Sequence, residues 1–416
     1  MRKPVLLMLF IMVTWFVISF VTNLIGPLMP TIISDFHLSL FLAGVLPFSF
    51  FIAYGLISIP AGALVEKRGP RTTLLTAFAL NLAGCLAIGL WPVYGVVIAG
   101  LFLIGLGMAM LQVVINPLMR TTGGEAHFAF FAVMAQLVFG LASYLSPMAY
   151  AALMQQPGAA TRPLVWVQLY WAFVVVYLVM IALTAALRIP HLTLTDSERA
   201  GTLATYRELI RQRPVQLFFL GIIAYVGTEQ SLADWMSQFL STYHHYDPAR
   251  EGAHAVGLFW GLMSIGCVLG MVLLRLLDAR LVLAVFTTCA LACVALALFG
   301  EARLSLLAFP ASGFCLSVMW SIIFSLALNS VPRHHGAFSG ILCTGILGGA
   351  VVPLLVGLLG DWLGLRVAML TVFVTLGFIL SVSWWARPLV RNETVSVAEL
   401  LGLRTRARAG ESSGQR

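Results

Sequence analysis

The sequence predicts an all-α polytopic membrane protein with about twelve transmembrane helices, and three observations support this fold class. Of its 416 residues, 60% are hydrophobic and only 10% are charged, whereas soluble domains carry about 25% charged residues. Apolar runs long enough to cross ~30 Å of hydrocarbon recur along nearly the whole chain. The runs lack the alternation of barrel strands, and residues 95–119 are apolar on every face, which favours helices.

Twelve spans can be placed in order along the chain. We predict the first six at residues 5–30, 39–64, 71–93, 95–119, 127–154 and 163–187, and the second six at 215–243, 254–277, 280–300, 303–331, 337–360 and 364–387. Arg2 and Lys3 precede the first run as they would in a signal peptide, but no small-residue cleavage site follows a short apolar core. We therefore interpret the first run as a retained span.

The longest hydrophilic break between spans divides the chain into two halves. We predict an N-terminal six-helix bundle (1–189), a cytoplasmic linker (190–214), a C-terminal six-helix bundle (215–388) and a partly disordered cytoplasmic tail (389–416). Two six-span halves joined by a polar loop are typical of transporters that bind their substrate between the halves, near the middle of the membrane.

Positive charge is distributed unequally between the two sides of this topology. With the N-terminus inside, 20 of the 24 Lys and Arg residues fall on cytoplasmic segments, and the other four are Arg162, Arg250, Arg303 and Arg366. This asymmetry follows the positive-inside rule and predicts that both termini are cytoplasmic. Topology thus explains the net charge of +8, and we expect no nucleic-acid partner.

The sequence contains no recognisable catalytic or cofactor-binding pattern. Walker loops, nucleophile elbows and zincin spacings are absent from it. The six cysteines all fall inside predicted spans and lack metal-ligand spacing. We therefore expect neither an enzyme nor a metal or cofactor site, so transport must be driven by an ion gradient or by the gradient of the substrate itself.

The loop after the second predicted span carries a patterned cluster of charges. It reads Gly62-x-x-x-Glu66-Lys67-Arg68-Gly69-x-Arg71, and a degenerate copy after the eighth span reads Gly270-x-x-x-x-Arg275-x-x-Asp278-x-Arg280. The first resembles the major facilitator superfamily signature G-x-x-x-(D/E)-(R/K)-x-G-x-(R/K). We expect charged pairs here to hold the halves together in one conformation and release them in another. The gating candidates are Glu66, Arg68, Arg71, Arg275 and Asp278; the alternative is an ordinary basic loop.

Segments in six spans resemble one branch of that superfamily, the fucose permease family. They are Asn23-Leu24 with a downstream proline, Ile59-Pro60-Ala61-Gly62, Ile115-Asn116-Pro117-Leu118, Ala135-Gln136, Ile323-Phe324-Ser325-Leu326-Ala327, and Gly345-x-x-Gly348-Gly349 followed by Gly357-x-x-x-Asp361. The resemblance implies a major facilitator fold with two pseudo-symmetric six-helix bundles. It also implies a sugar:proton symporter of the fucose–galactose–glucose type that works by alternating access.

The chain departs from this family at two positions. Where the family's fucose transporter has an acidic residue in span one, this chain has Gly26, and where it has a glutamate in span four, this chain has Gln112. Both positions are associated in the family with proton coupling or sugar binding. Coupling by that route therefore cannot be carried over to this chain.

Only two acidic residues lie clearly within the predicted spans, Glu229 and Asp234 in span seven. Their segment, Tyr225-x-Gly227-x-Glu229, resembles the Y-x-G-x-E segment of glucose-transporting members of the same broad family. At 1.5 Å per residue from Val215, Glu229 lies about 21 Å and Asp234 about 29 Å along the helix. Because acids are costly in hydrocarbon, we expect both to serve proton coupling, Glu229 foremost. The alternatives are a structural hydrogen bond for Glu229 and a solvated interface position for Asp234.

Sugar sites combine amides and carboxyls, which bind hydroxyl groups, with aromatic faces that stack on the sugar ring. Side chains of both types occur in the predicted spans. The substrate-binding residues that we predict are Asn23, Gln112, Gln136, Gln230, Trp320 and Asn329. Trp320 is the preferred aromatic because span ten is expected to lie opposite span four across the two halves.

Together with these patterns, the resemblance to the fucose permease family implies a monomeric secondary transporter that imports a monosaccharide, a hexose or deoxyhexose, across a bacterial inner membrane. H⁺ is the expected coupling ion and Na⁺ the alternative, and the lipid bilayer is the other expected partner. A major facilitator exporter of drugs or metabolites is the rival hypothesis, because few charges and many Phe and Met residues would suit a greasy substrate.

Overall fold

A computed structural model of the chain describes residues 2–123, 128–159, 162–190, 203–331 and 335–387. Within these ranges, eleven helices are long and apolar enough to cross a membrane. One of them, Leu40–Leu90, has 51 residues and would measure about 76 Å if straight, more than twice the thickness of the hydrocarbon core. It is broken at Gly69, whose φ of 81° and ψ of 165° are not helical. It therefore contains two spans, which accounts for the twelve predicted and confirms the all-α membrane fold.

We number the spans α1 to α12 in chain order. In the first half, α1 comprises Arg2–Thr22 and Ile25–Phe36, α2 and α3 are residues 40–68 and 70–90, and α4, α5 and α6 are Tyr94–Gly123, Phe128–Met154 and Val167–Ala186. In the second half, α7 is Arg213–His244, α8 is Ala253–Leu276, α9 is Ala279–Phe299, α10 comprises Ala302–Leu316 and Met319–Leu328, α11 comprises His335–Thr344, Gly345–Leu347 and Gly348–Leu363, and α12 comprises Leu365–Ala368 and Thr371–Trp385.

Two short elements lie outside the spans. The helix Leu203–Ile210 precedes α7 within the predicted linker, and a π-helical turn, Pro248–Gly252, leads into α8. Residues 191–202 of that linker and the predicted tail, 389–416, lie outside the described residues. We call the side of the bundle where α1 begins and α12 ends the inner face, and the opposite side the outer face.

The first span is longer than predicted, because α1 runs to Phe36 rather than to residue 30. Pro27 and Pro30 interrupt the long apolar run in the sequence, and the predicted span stops at the second of them. The structure instead breaks the helix at Asn23 and Leu24 and restarts it at Ile25, so that Pro27 falls in the first turn of the new segment. Proline is tolerated there, since its missing N–H would have no intrahelical acceptor. A smaller difference occurs in α6, which begins at Val167 rather than at residue 163.

Three of the described spans are interrupted well inside their length, and α12 is interrupted one turn from its start, between Ala368 and Thr371. The α1 break follows Thr22, α10 is broken between Leu316 and Met319, and α11 contains a 3₁₀ turn at Gly345–Leu347. Discontinuous spans in transporters are tolerated where the freed backbone groups line a cavity, and they commonly mark the substrate site.

The two halves contact each other mainly along three helix pairs, α1 with α7, α2 with α11 and α5 with α8. Glycines permit the close approach. A Cβ atom added to Gly26 of α1 would lie 2.4 Å from the carbonyl oxygen of Ala233 in α7. One added to Gly357 of α11 would lie 2.4 Å from the carbonyl oxygen of Leu40 in α2. Both contacts lie toward the outer face, so the halves are closed on that side.

The side surface of the helix bundle, between its inner and outer faces, is apolar. Val175 of α6, Leu307 of α10 and Val374 of α12 are 61%, 68% and 74% exposed, respectively. Exposed apolar surface on this scale is unusual for a soluble monomer and normal for helices that face lipid. Together with the span lengths, it identifies a multi-pass membrane protein.

Candidate functional site

A cavity of about 540 Å³ lies between the two halves. Its wall is built from α1, α2, α4 and α5 of the first half and from α7, α8, α10 and α11 of the second. The lining includes Met271 and Leu274 near the inner end of α8 but none of the residues of the outer contacts, so the cavity extends toward the inner face. Its volume is within the range of ordinary small-molecule sites, about 300–1,000 Å³.

The interrupted spans contribute directly to this wall. Thr22 lines the cavity at the α1 break, Ser317 and Val318 at the α10 break, and Ile346 at the 3₁₀ turn of α11. The sequence predicted spans at these places but not their interruptions. The breaks bring backbone polar groups to the middle of the protein, where a ligand can reach them.

An acid and a phenol form the principal polar pair of the cavity. Tyr225 and Glu229 are one turn apart on α7 and therefore share a face. The Tyr225 hydroxyl donates a hydrogen bond of 2.9 Å to Oε1 of Glu229, and both residues line the cavity. The side chain of the neighbouring Gln230 also interacts with the Glu229 carboxyl, so an acid, a phenol and an amide meet at one point of the cavity wall.

Three glutamine side chains from three different helices reach the same cavity. They are Gln112 of α4, Gln136 of α5 and Gln230 of α7. The Gln112 amide lies 3.4 Å from the hydroxyl of Tyr54, a long hydrogen bond that a ligand could replace. Because an amide both donates and accepts hydrogen bonds, the trio can recognise hydroxyl groups from both halves.

Aromatic rings occupy the wall between these polar groups. The Trp320 ring lies 5.8 Å from Phe324 at an interplanar angle of 23° and 6.1 Å from Tyr225. Trp15 and Trp260 also line the cavity, and their indole N–H groups have no hydrogen-bond partner among the described residues. A flat face held beside a carboxylate suits a polar ring with apolar C–H faces.

Three predicted residues do not reach the cavity wall. The Asn23 amide instead donates hydrogen bonds to the Ser19 carbonyl oxygen at 3.0 Å and to Ser143 Oγ at 2.8 Å, which ties α1 to α5. Asn329 follows the last turn of α10 and is not part of the lining. Asp234 is only 3% exposed and lies at the α1–α7 contact, beside Gly26. Asn23 and Asn329 are therefore not positioned to contact a substrate in this cavity.

Several lining residues escaped the sequence analysis. Tyr54, Ser143, Ser264 and Ser321 all contribute polar atoms to the wall. Hydroxyl groups in spans often satisfy their own backbone, as Ser264 does by donating to the Trp260 carbonyl oxygen at 2.9 Å, so their presence alone does not mark a site. Tyr54 offered the clearest signal, as a phenol in an otherwise apolar stretch.

The predicted gating residues lie at the inner face. Arg71 donates to the Ala185 carbonyl oxygen at the end of α6. Asp278 caps α9 through a hydrogen bond of 2.8 Å from the Arg280 N–H, and it lies 3.5 Å from the Arg280 guanidinium. These contacts join Arg71 and Asp278 to their own halves. Glu66 and Arg68 are exposed at the inner end of α2, and Arg275 lies in the last turn of α8.

Comparison with known proteins gives a consistent family signal. The family model described as Major Facilitator Superfamily matches residues 11–346. The chain is 29% identical over 385 residues to a glucose/galactose transporter of Brucella abortus biovar 1 (strain 9-941), covering 88% of this chain and 90% of the relative. It is 25% identical over 380 residues to the L-fucose-proton symporter of Escherichia coli (strain K12), covering 84% and 86%. The crystal structure of the E. coli fucose:proton symporter shares the fold, with a TM-score of 0.66 at 20% identity over 93% of this chain and 100% of that one.

Proposed function

Because this chain belongs to the Major Facilitator Superfamily, we propose that it is a secondary transporter that imports a hexose or deoxyhexose together with a proton by alternating access. The names of its relatives, a glucose/galactose transporter and an L-fucose-proton symporter, support the substrate class and the coupling ion. The observation that carries the proposal is the cavity between the halves, where a carboxyl, three glutamine amides and an aromatic face converge.

The sugar is bound between the halves by contacts from both. Gln112 and Gln136 on one side and Gln230 on the other bind its hydroxyl groups, and Trp320 stacks on a C–H face of the ring. Contacts from both halves are what alternating access requires, since the bound sugar then stabilises the two bundles around itself. The family resemblance supports Gln136, and the remaining assignments rest on the cavity geometry.

Glu229 is the proposed proton-coupling site within the cavity. In its protonated and its ionised state alike, the Glu229 carboxyl lies next to the bound sugar, and the Tyr225 hydroxyl fixes the position of its Oε1. Asp234 is proposed as a second site, because it is buried and its Oδ2 has no hydrogen-bond partner in the described part of the chain. An ionised carboxylate in that position would be costly, which suits a site that takes up and releases a proton during the transport cycle.

Location and orientation follow from the charge distribution. The protein is placed in a bacterial inner membrane as a monomer with both termini in the cytoplasm, which the excess of cytoplasmic Lys and Arg residues supports. The inner face is then cytoplasmic and the cavity is inward-facing. In this conformation the gating residues Arg71 and Asp278 bind their own halves, as expected of an inner gate that has opened.

Uptake into proteoliposomes tests the proposal. A panel of labelled glucose, galactose, fucose and N-acetylglucosamine is offered with and without an inward proton gradient, and a parallel set uses a sodium gradient. We expect gradient-driven accumulation of one hexose or deoxyhexose under the proton gradient alone. Accumulation under the sodium gradient alone would show that the coupling ion is Na⁺ and not H⁺. The absence of uptake of every sugar by folded, oriented protein would overturn the sugar assignment.

Export of a drug or metabolite is the second candidate, and one observation favours it. The cavity wall includes the apolar side chains of Leu137, Val268 and Met271, which are 48%, 44% and 44% exposed. Such a wall suits a larger and greasier substrate than a sugar. Expression that raises resistance to amphipathic compounds, combined with no sugar uptake, would support export.

A further inference from the structure

One spacing of residues occurs at both faces of the protein. The two segments are Gly62-x-x-x-Glu66-x-x-Gly69-x-Arg71, between α2 and α3 at the inner face, and Gly357-x-x-x-Asp361-x-x-Gly364-x-Arg366, between α11 and α12 at the outer face. The second glycine of each has nearly the same backbone conformation, φ 81° and ψ 165° at Gly69 and φ 82° and ψ 150° at Gly364. Such positive φ values favour glycine. The outer loop is therefore a structural copy of the inner one.

In the outer copy, the acidic residue binds the opposite half of the protein. Asp361 of α11 accepts two backbone hydrogen bonds at the start of α2, from Leu40 N–H to Oδ1 at 2.7 Å and from Phe41 N–H to Oδ2 at 3.0 Å. The first N–H groups of a helix have no intrahelical acceptor and carry the positive end of the helix dipole. A carboxylate is thus the natural partner for this helix end.

The rest of the α2 N-terminus is satisfied within its own half. Ser39 Oγ accepts a hydrogen bond from Leu42 N–H at 3.3 Å, and the Ser39 carbonyl oxygen accepts one from Ala43 N–H at 3.0 Å. Only the Leu40 and Phe41 N–H groups therefore depend on the other half. They would lose their acceptor if α2 and α11 separated at the outer face.

Packing around the acid differs between the two copies. A Cβ atom on Gly357 would lie 2.4 Å from the Leu40 carbonyl oxygen, so the outer copy is in tight contact with α2. A Cβ atom on Gly62, the equivalent position in the inner copy, would meet no described atom within 4 Å. In this conformation the outer copy is engaged across the halves, whereas the glycine of the inner copy is not.

Arg366 fixes the outer loop to its own half. Its guanidinium lies 4.5 Å from the centre of the Tyr243 ring, and its backbone N–H donates to the Tyr243 hydroxyl at 3.0 Å. A cation–π contact and a hydrogen bond to the same side chain leave the loop little freedom. Asp361 is consequently presented to α2 in a set position.

We infer that Asp361 is the latch of the outer gate: its carboxylate caps α2 of the opposite half, holds the outer face shut in this conformation, and releases it when the cavity opens outward. The inference rests on the proposed function only in requiring two conformations. Asp361 acts through the start of α2 and not on the substrate, so it is a positioning residue.

The population of the two conformations provides a direct test that needs no sugar. Residues 93 and 301, on outer loops of opposite halves, are replaced by a ketone-bearing amino acid and spin-labelled, which leaves the native cysteines in place. In nanodiscs, we expect the wild-type chain to give mainly the short distance of a closed outer face. Asp361→Asn should shift the ratio of open to closed about tenfold, since 1.4 kcal/mol corresponds to that factor. Asp361→Glu, which keeps the charge, should recover most of the closed population.

Asp35→Asn is the matched control. Asp35 also lies near the outer face and accepts two N–H groups, from Leu164 at 3.2 Å and from the Trp166 indole at 2.9 Å, but both belong to its own half. The Asp35→Asn substitution should leave the distance distribution between the two spin labels unchanged. If Asp361→Asn does not fold, 1 M salt on the labelled wild-type chain should shift the distances in the same direction, because exposed charges are screened.

Each outcome bears on the inference separately from the transport assignment. Unchanged distances in Asp361→Asn, or an equal shift in Asp35→Asn, would overturn the latch. A selective shift in Asp361→Asn would support the latch even if no sugar in the uptake panel were transported. In that case only the proposed substrate would be wrong.

Discussion

Glu229 and Tyr225 lie one helical turn apart on α7, and the Glu229 carboxyl lines the cavity while accepting a hydrogen bond from the Tyr225 hydroxyl. This arrangement lets one group respond to both the proton and the sugar. Glu229→Gln keeps the shape and the hydrogen bond but cannot release a proton. We expect it to lower the accumulation ratio under a proton gradient to about one while sugar exchange continues, because exchange needs no net proton transfer.

Glu251→Gln is the control for that variant. Glu251 carries the same functional group in an outer loop, close to Arg250 at 3.9 Å, and its neutralisation should leave both accumulation and exchange unchanged. Full uphill transport by Glu229→Gln would refute the coupling role.

Trp320 offers its face to the cavity beside Tyr225. Trp320→Ala removes a stacking surface worth about 0.5–1.5 kcal/mol, so the KM for the transported sugar should rise about two- to tenfold. The KM of Trp320→Phe should lie between those of the wild-type protein and Trp320→Ala. Trp384→Ala, which removes an indole that is 74% exposed on α12, is the matched control. An unchanged KM in Trp320→Ala, with correct folding, would exclude stacking at this residue.

Sequence reasoning placed the depth of polar residues in the membrane better than their direction. Glu229, Gln230 and Trp320 line the cavity, whereas Asn23 turns toward Ser143 of α5. Depth follows from counting 1.5 Å per residue along a span. Direction does not, because a lipid-facing surface is as apolar as a helix interface and the sequence has no polar face to orient the span. The interruption of α1 at Asn23 further changed the face on which that side chain lies.

At the scale of helices, the contact between α1 and α7 depends on a missing side chain. Gly26→Ala would put a methyl group 2.4 Å from the Ala233 carbonyl oxygen. Overpacking of this kind costs about 1–3 kcal/mol, and here it acts against the closed outer face. We expect an outward-shifted population and an initial uptake rate that falls about five- to a hundredfold, measured in proteoliposomes.

The same substitution elsewhere provides its control. Gly377 lies within α12, and a Cβ atom added to it would meet no described atom within 4 Å. Gly377→Ala should therefore leave transport unchanged and add slightly to thermal stability, since Ala is the better helix former. Equal losses of transport in both variants would show that helix flexibility, rather than the α1–α7 contact, limits the rate.

The spans were more predictable than their ends and breaks. Hydrocarbon thickness imposes a minimum length on every apolar run, so the existence of twelve spans follows from the sequence. The continuation of α1 to Phe36 was missed because the predicted span stops at Pro30. The break in α10 at Ser317 and Val318 contains no proline or glycine, so nothing in the sequence at this point predicts it.

For the whole molecule, closure at the outer face and a cavity toward the inner face define which side reagents can reach. Two native cysteines, Cys267 and Cys343, line the cavity, whereas Cys85 is fully buried. A membrane-impermeant maleimide should label Cys267 and Cys343 in inside-out vesicles and leave Cys85 unmodified, as read by peptide mass spectrometry. The transported sugar should slow this labelling. Equal labelling in right-side-out vesicles would contradict the closed outer face.

The glycine contacts between the halves have a further thermodynamic consequence. Gly26 and Gly357 meet backbone carbonyl groups rather than long side chains, so few rotamers are frozen when the outer face closes. A Lys, Arg or Met side chain immobilised at such a contact would cost up to about 2 kcal/mol of entropy, whereas glycine costs none. Closing the outer face therefore costs less side-chain entropy than a contact made by long side chains would.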